Sequence, residues 1–439
     1  MYRCISEDLK KWKDRTNRKP LLLTGVRQCG KTYAVEQFAR EYFDSYVYVN
    51  FESAEKISGI FDYDFDVTRI IAELERMFGT KIRPGETLVF FDEIQECPRA
   101  ITSLKYFCEN MRELHLVCAG SLLGVALKRE HIAFPVGKVN RMQLYPMNFR
   151  EFIMAKGRGD MIDAFRKWPT DRVIPELYSV PMARLLKEYY IVGGMPEAVR
   201  AWVETQSFEE VDEIQQDILQ GYADDLSKHA PDKEVPKIRW IWDSVPAQLA
   251  KENNKFIFSH VKEGKRSAEL ENGLQWLRDA GLIIPVELVE KPEIPLSGFA
   301  DKTWFKVYMS DIGLLRSRSG VSPQTILEES EQFGRYKGAF VENYVLNELR
   351  ALGKEAYFWR SGNTAEIDFI FEEDGELIPV EVKAADNTQA KSFKQFCKRY
   401  EPRLGFKLSG KNMGENRCEN TTAISIPLYL TWNLEHYIA

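Results

Sequence analysis

The sequence predicts an α/β protein with a parallel sheet at the front, a helical middle and a further α/β region at the end. Three observations predict it. Across residues 1–150, short β-rich apolar runs alternate with helical stretches, as in strands joined by covering helices. From 149 to about 230 helical patterning takes over. Toward the C-terminus strands return between two helices. The chain has 439 residues, 44% apolar and 29% charged, so ordinary soluble cores are expected rather than disorder. At roughly 100–200 residues per domain, two to four domains fit.

The elements follow in order. Strands are expected at 20–24, 45–51, 87–92, 115–119 and 139–144, with a helix at 33–43 after the first. Trp168-Pro169-Thr170 and Gly193-Gly194-Met195-Pro196 interrupt the helical middle. Residues 235–290 read as helix, short helix, helix and strand. Leu270, Leu274 and Leu277 give 267–280 one apolar face, and Gly281 stands where a C′ glycine ends a helix. A strand at 282–289 and a linker at 292–299 follow. The tail reads as helix 338–352, strands 356–360, 366–372 and 377–383, and helix 388–400. The expected division is 1–150, 151–234, 235–295 and 300–439.

Composition excludes several classes. The longest apolar runs, such as 21–23 and 88–91, fall far short of the roughly 18 residues a membrane span needs. No apolar run follows the first residues, so no secretion signal is expected. The cysteines at 4, 29, 97, 108, 118, 397 and 418 are odd in number and show no CxxC spacing. A reducing, cytoplasmic setting is therefore expected, with no zinc site. The net charge of −6 excludes a bulk polyanion binder and leaves room for a local basic patch.

Gly25-Val26-Arg27-Gln28-Cys29-Gly30-Lys31-Thr32 fits G-x-x-x-x-G-K-[ST], after an apolar strand and before a helix. Glycines let the backbone bend around phosphate oxygens, and amides at a helix N-terminus stabilise negative charge. Lys31 would reach the β- and γ-phosphates of ATP, and Thr32 would hold Mg²⁺. The strand Leu88–Phe91 ends in Asp92 and Glu93. Asp92 would bind the same Mg²⁺, and Glu93 would orient and deprotonate the attacking water. Ser121, after the fourth strand, is a candidate γ-phosphate sensor or an ordinary helix N-cap. Cys29 is read as a small filler rather than a redox sensor, because a reactive thiol must be exposed.

Together these residues resemble the AAA-type P-loop ATPases, in which an additional strand separates the two Walker strands. More narrowly, the chain resembles prokaryotic ATP-binding proteins with this ATPase in front of a poorly characterised domain. Gly120-Ser121, Leu144-Tyr145-Pro146-Met147, Gly193-Gly194-Met195-Pro196 and Ala280-Gly281-Leu282-Ile283 carry that likeness. The resemblance implies a P-loop NTPase fold, an ATPase activity and a homo-oligomer, since such sites often use a neighbour's arginine. Many members have Gly-Arg where this chain has Gly137-Lys138. Lys138 is the candidate charge stabiliser, without arginine's forked geometry, and Arg141 lies close enough to substitute.

Residues 235–290 resemble a winged-helix module. The charges near its second long helix are mixed, which favours packing or partner binding over DNA reading there. The tail resembles the PD-(D/E)xK nuclease fold, a restriction-endonuclease-like α/β domain. Glu342 lies on a helix, Asp368 on a strand, and Glu381 and Lys383 share one face of the next strand. Glu342, Asp368 and Glu381 would ligate Mg²⁺, and Lys383 would position water. Lys391, Lys394, Lys398 and Arg399 are candidate DNA contacts. The expected function is ATP hydrolysis coupled to nucleic-acid binding or cleavage. The alternative is an ATP-dependent protein-interaction switch whose nuclease-like domain only binds.

Overall fold

The computed structural model describes residues 1–438, except 54, 122–123, 125–133, 252–254, 363–364 and 385–390. The first residues of the helix expected at 388–400 lie outside the described residues. The chain divides into two compact units, one of 1–146 with 279–282, the other of 147–278 with 283–439.

The first unit is built on five parallel strands: β1 (Leu21–Thr24), β2 (Ser45–Asn50), β3 (Thr87–Asp92), β4 (His115–Gly120) and β5 (Asn140–Gln143). Their order is β2-β3-β4-β1-β5, so β4 separates β1 from β3 as the resemblance implies. Every residue of β3 and β4 is buried, which is why these strands read as unbroken apolar runs. The helix Val67–Phe78 buries Val67, Ile70, Ile71 and Leu74 on one stripe. Asp66 caps its start by accepting from the Thr68 amide, and Gly79 at φ +63° ends it. On the same side of the sheet, Phe91 meets Phe51, Phe61 and Phe107 edge to face. Each fully buried ring or branched aliphatic chain there contributes roughly 1.5–3 kcal/mol.

The second unit carries eight strands: β6 (Ile283–Val289), β7 (Asp301–Met309), β8 (Tyr357–Ser361), β9 (Ala365–Glu373), β10 (Glu376–Val382), β11 (Leu404–Ser409), β12 (Gly414–Cys418) and β13 (Thr421–Pro427). They form one mixed sheet in the order β12-β13-β11-β10-β9-β8-β6-β7. The hairpin expected between Asp368 and Glu381 is present. Asp374 and Gly375, both at positive φ, make its two-residue turn. The helix expected at 338–352 runs over Glu331–Ala351.

Residues 235–290 show the expected series, with helices Val235–Leu249, Phe258–Val261 and Ser267–Asp279 before β6. Gly281 takes φ +74°, as a C′ glycine should. Strands β7 and β11–β13 were not expected. Because β6 pairs in parallel with β8, the boundary expected at 295–300 runs through one continuous sheet. The Gly193-Gly194 pair has a packing role. A side chain at Gly194 would stand 2.0 Å from the Met147 carbonyl. The Gly194 amide donates to the buried Asp311 carboxylate at 2.6 Å. Burial pushes Asp311 up to about 6 despite the backbone amides it accepts from.

Candidate nucleotide site and a second charged cluster

In the first unit the phosphate loop joins the C-terminal end of β1 to the helix Lys31–Tyr42. Gln28 at φ +64° and Gly30 at φ +91° turn the chain into that helix. A Cβ at Gly25 would lie 2.3 Å from the Leu144 carbonyl oxygen, so only glycine fits beside that segment. Val26 and Cys29 are buried, Arg27 is half-buried and Gln28 is exposed. Cys29 has no exposed surface, and its Sγ faces the Leu144 carbonyl at 3.6 Å. This is the filler role expected of it.

Lys31 is buried, and its Nζ donates to the carbonyls of Gly25 and Val26, both at 3.1 Å. The ammonium is thus held inside the loop that would receive phosphate. Thr32 Oγ1 donates to Asp92 Oδ2 at 2.7 Å. Tyr48 OH donates to the same oxygen at 3.1 Å. Burial raises Asp92 above its ordinary value, and the Thr32 and Tyr48 hydrogen bonds oppose that rise. An alcohol and a carboxylate this close are hard oxygen donors that fit Mg²⁺.

Glu93 follows β3 at φ +47°. Its carboxylate accepts from Gln95 Nε2 at 2.6 Å and from Ser121 Oγ at 3.3 Å. The structure therefore joins Ser121 to Glu93, so the end of β4 meets the acid at the end of β3.

Lys138 is not brought to the loop of its own unit. Lys19, just before β1, donates through Nζ to the Gly137 carbonyl at 2.6 Å, which places Lys138 near the opposite ends of the parallel strands. Lys138 pairs there with Glu109 at 2.7 Å, which raises its pKa. Arg141 lies exposed on the edge strand β5, with its guanidinium over Phe134.

Sequence reasoning missed Arg3. Its guanidinium donates to the carbonyls of Cys29 at 2.7 Å and Tyr145 at 2.6 Å, and the residue is buried. It holds the phosphate loop against the segment after β5. A lone arginine near a terminus carries no local pattern that would have marked it. Charge-assisted hydrogen bonds contribute about 1.5–3 kcal/mol each, so Arg3→Ala is expected to weaken ATP binding by roughly 10-fold or more. Nucleotide titration measures this, and an unchanged affinity would refute the role.

In the second unit, the expected tail residues converge with others that were not expected. Asp368 Oδ2 accepts from the Val382 amide at 2.7 Å. Glu381 Oε1 pairs with Lys383 Nζ at 2.6 Å, while Glu381 Oε2 is buried with no hydrogen-bond partner. Glu342 Oε2 accepts from Tyr308 OH at 2.7 Å. Burial first, then Glu381 and Glu342, drive the Asp368 carboxyl well above its usual range. Burial also raises Glu381, against the pull of Lys383. Lys306 on β7 reaches Glu366 at 2.7 Å and Glu342 at 3.6 Å. Burial would lower its pKa, but Glu342, Glu366 and Asp368 outweigh that and raise it.

Among the described residues no group of three His, Cys, Asp or Glu side chains is arranged to hold a metal ion. Glu342, Asp368 and Glu381 share a neighbourhood in which Lys383 holds Glu381 Oε1, Tyr308 and Lys306 hold Glu342 Oε2, and the Val382 amide holds Asp368 Oδ2. The helix Lys391–Tyr400 buries Phe393, Phe396 and Cys397, and Lys391, Lys394, Lys398 and Arg399 line its solvent side. Among the described residues no helix is long and apolar enough to cross a membrane.

Residues 17–153 match a family described as an AAA domain. Residues 183–325 and 337–429 match two domains of unknown function, DUF8612 and DUF4143. No match is found among curated proteins. Among solved structures, the Walker-type ATPase PABY2304 of Pyrococcus abyssi is similar at 15% identity and a TM-score of 0.44, over 71% of this chain and 94% of that one. The Aeropyrum pernix ORC2 protein, in ADPNP and ADP complexes, is similar at 13% identity and a TM-score of 0.36, over 75% and 96%. AMPPCP-bound DnaA from Aquifex aeolicus is similar at 11% identity and a TM-score of 0.28, over 62% and 86%. At these scores the likenesses add nothing to the reading of the site.

Proposed function

We propose, from the premise that residues 17–153 form an AAA-type domain that binds and hydrolyses ATP, that the second unit couples this hydrolysis to nucleic acid. In the ATPase, Gly25 to Thr32 would cradle the phosphates, Thr32 and Asp92 would hold Mg²⁺, and Glu93 with Ser121 would position the water. A magnesium ion held by Thr32 and Asp92 would neutralise charge on the phosphate oxygens. Glu93 then needs only to accept the water's proton. Lys138 would serve a neighbour in a homo-oligomer rather than its own site. The helical (151–234), winged-helix-like (235–295) and nuclease-like (300–439) segments are proposed as parts of one folding unit.

The observation that supports nucleic-acid binding is a groove of about 940 Å³ in the second unit. Among the described residues, Lys255, Lys265, Arg266, Arg278 and Lys302 line it with two acids, Glu271 and Glu287. The helix Ser267–Asp279 taken alone is mixed in charge. The groove becomes basic because the preceding turn and β7 add cations that sequence order keeps apart. Phe258 also lines it, and Trp304 nearby is covered by Lys255 and Arg360 at 4.7 and 4.8 Å. Cationic walls with aromatic faces suit a sugar–phosphate strand and its bases.

The experiment is anisotropy binding of single-stranded and duplex DNA across a salt series, with phosphate release followed in parallel. Lys265→Glu/Arg266→Glu/Lys302→Glu is expected to weaken binding by at least about 10-fold and to flatten the salt dependence, since each lost phosphate contact removes released counterions. Lys391→Glu/Lys394→Glu, on the solvent-facing helix, serves as the comparison. DNA binding that the groove variant leaves intact would move the interface elsewhere. No DNA binding and no DNA effect on phosphate release would favour the interaction switch.

A further inference from the structure

The acidic cluster in the second unit contains four carboxylates and two lysines. Asp368 and Glu366 lie two residues apart on β9 and so share a face. Glu381 comes from β10 and Glu342 from the helix Glu331–Ala351. Lys383 is taken by Glu381 at 2.6 Å. Lys306 is the unforeseen member. It lies on β7, is only 2% exposed, and reaches both Glu366 and Glu342.

A buried ammonium has lost its hydration, and only carboxylates replace it at comparable strength. Conversely, carboxylates gathered in a buried pocket need cations, protons or hydrogen-bond donors beside them. A divalent ion would demand several oxygens at about 2.0–2.6 Å. Here Glu342 Oε2 is shared between Lys306 and the Tyr308 hydroxyl, Glu366 Oε1 is held by Lys306, and Asp368 Oδ2 is held by the Val382 amide. One oxygen of each of these carboxylates is thus already engaged, two of them by the Lys306 ammonium.

We propose that the Lys306 ammonium is the resident cation of this cluster, standing where a nuclease-type site would keep its metal. The second unit then holds its acidic pocket together without a divalent ion, and its nucleic-acid role is binding rather than cleavage. This inference rests on the nuclease-like reading of β8–β10 and is independent of the basic groove. Its corollary is a gain of function. Removing Lys306 takes the ammonium from Glu342 and Glu366, next to Asp368 and the unpartnered Glu381 Oε2, and those four acids would take a divalent cation in its place.

The test is Mn²⁺ binding to the full chain without nucleotide, by electron paramagnetic resonance and by thermal melting. It uses an Asp92→Asn background, so that the first unit does not contribute. With Lys306 intact, no Mn²⁺ that depends on Asp368 is expected to bind. Lys306→Met is expected to gain one bound Mn²⁺, with a Mn²⁺-dependent rise in melting temperature, and Asp368→Asn added to it should abolish both. Should Lys306→Met unfold, Mn²⁺ is expected to restore its fold, and Lys306→Arg is expected to fold without metal. Mn²⁺ binding with Lys306 in place that Asp368→Asn removes would overturn the proposal. So would a Lys306→Met chain that neither binds Mn²⁺ nor regains its fold with it. Metal-dependent DNA cleavage lost in Asp368→Asn would overturn it as well. DNA binding in the groove stands or falls separately.

Discussion

Glu93→Gln is expected to lower ATP turnover by about 10²–10⁴-fold, the usual contribution of a positioned general base. Nucleotide binding should survive. The loop, Lys31 and the Thr32–Asp92 pair are untouched, and glutamine can still accept hydrogen bonds from Gln95 and Ser121 through its carbonyl oxygen. What glutamine cannot do is take a proton from water. The position is well defined, because Glu93 leaves a fully buried strand in a left-handed conformation and its carboxylate is held by Gln95 and Ser121. Lys31→Ala should behave differently and lose binding along with turnover, since the loop's buried cation disappears. Phosphate release and nucleotide affinity measured on both variants separate the two. Turnover in Glu93→Gln within a few-fold of wild type would remove Glu93 from the chemistry.

The second large effect concerns stability. Glu348 is completely buried in the second unit, where Oε1 accepts from the Phe149 amide at 2.8 Å and Oε2 has no hydrogen-bond partner. Burial pushes its carboxyl from an ordinary 4.5 up to about 8, and the Phe149 hydrogen bond only partly opposes this. The native state therefore keeps a proton that the unfolded chain releases. Below pH 4.5 both states hold it, and the group costs nothing. As pH rises toward 8 the unfolded state is progressively favoured, and above that the penalty is constant. The loss should be on the order of a few kcal/mol. Glu348→Gln keeps an acceptor for Phe149 and removes the titration. Its urea midpoint relative to wild type is expected to be higher at pH 8 than at pH 4.5. The difference between the chains cancels other titrating groups, including Asp311. A gap independent of pH would mean that Glu348 is ionised in the native state.

The ATPase site was legible because its parts are local. A phosphate loop needs a strand, glycines and a helix within a few consecutive residues, and the apolar strand ending in Asp92-Glu93 advertises itself in the same way. The hairpin that carries Asp368 and Glu381 was legible for a similar reason, since its two strands are neighbours in sequence and its turn is short. Strands β11–β13 were not expected, and the boundary near 295–300 was set inside a sheet. Parallel pairing such as β6 with β8 joins segments that are not neighbours in sequence, and no periodicity reports it.

The sequence by itself therefore determined the strand–loop–helix that takes ATP, the acids beside it, and the helix and hairpin that carry the second set of acids. Only the tertiary structure decided which cations reach them. It brought Arg3 onto the loop's carbonyls, kept Lys138 at the far end of the strands, and set Lys306 among the tail acids. A charged side chain has no pattern of its own along a chain. Its meaning comes from what packing leaves beside it once water is excluded.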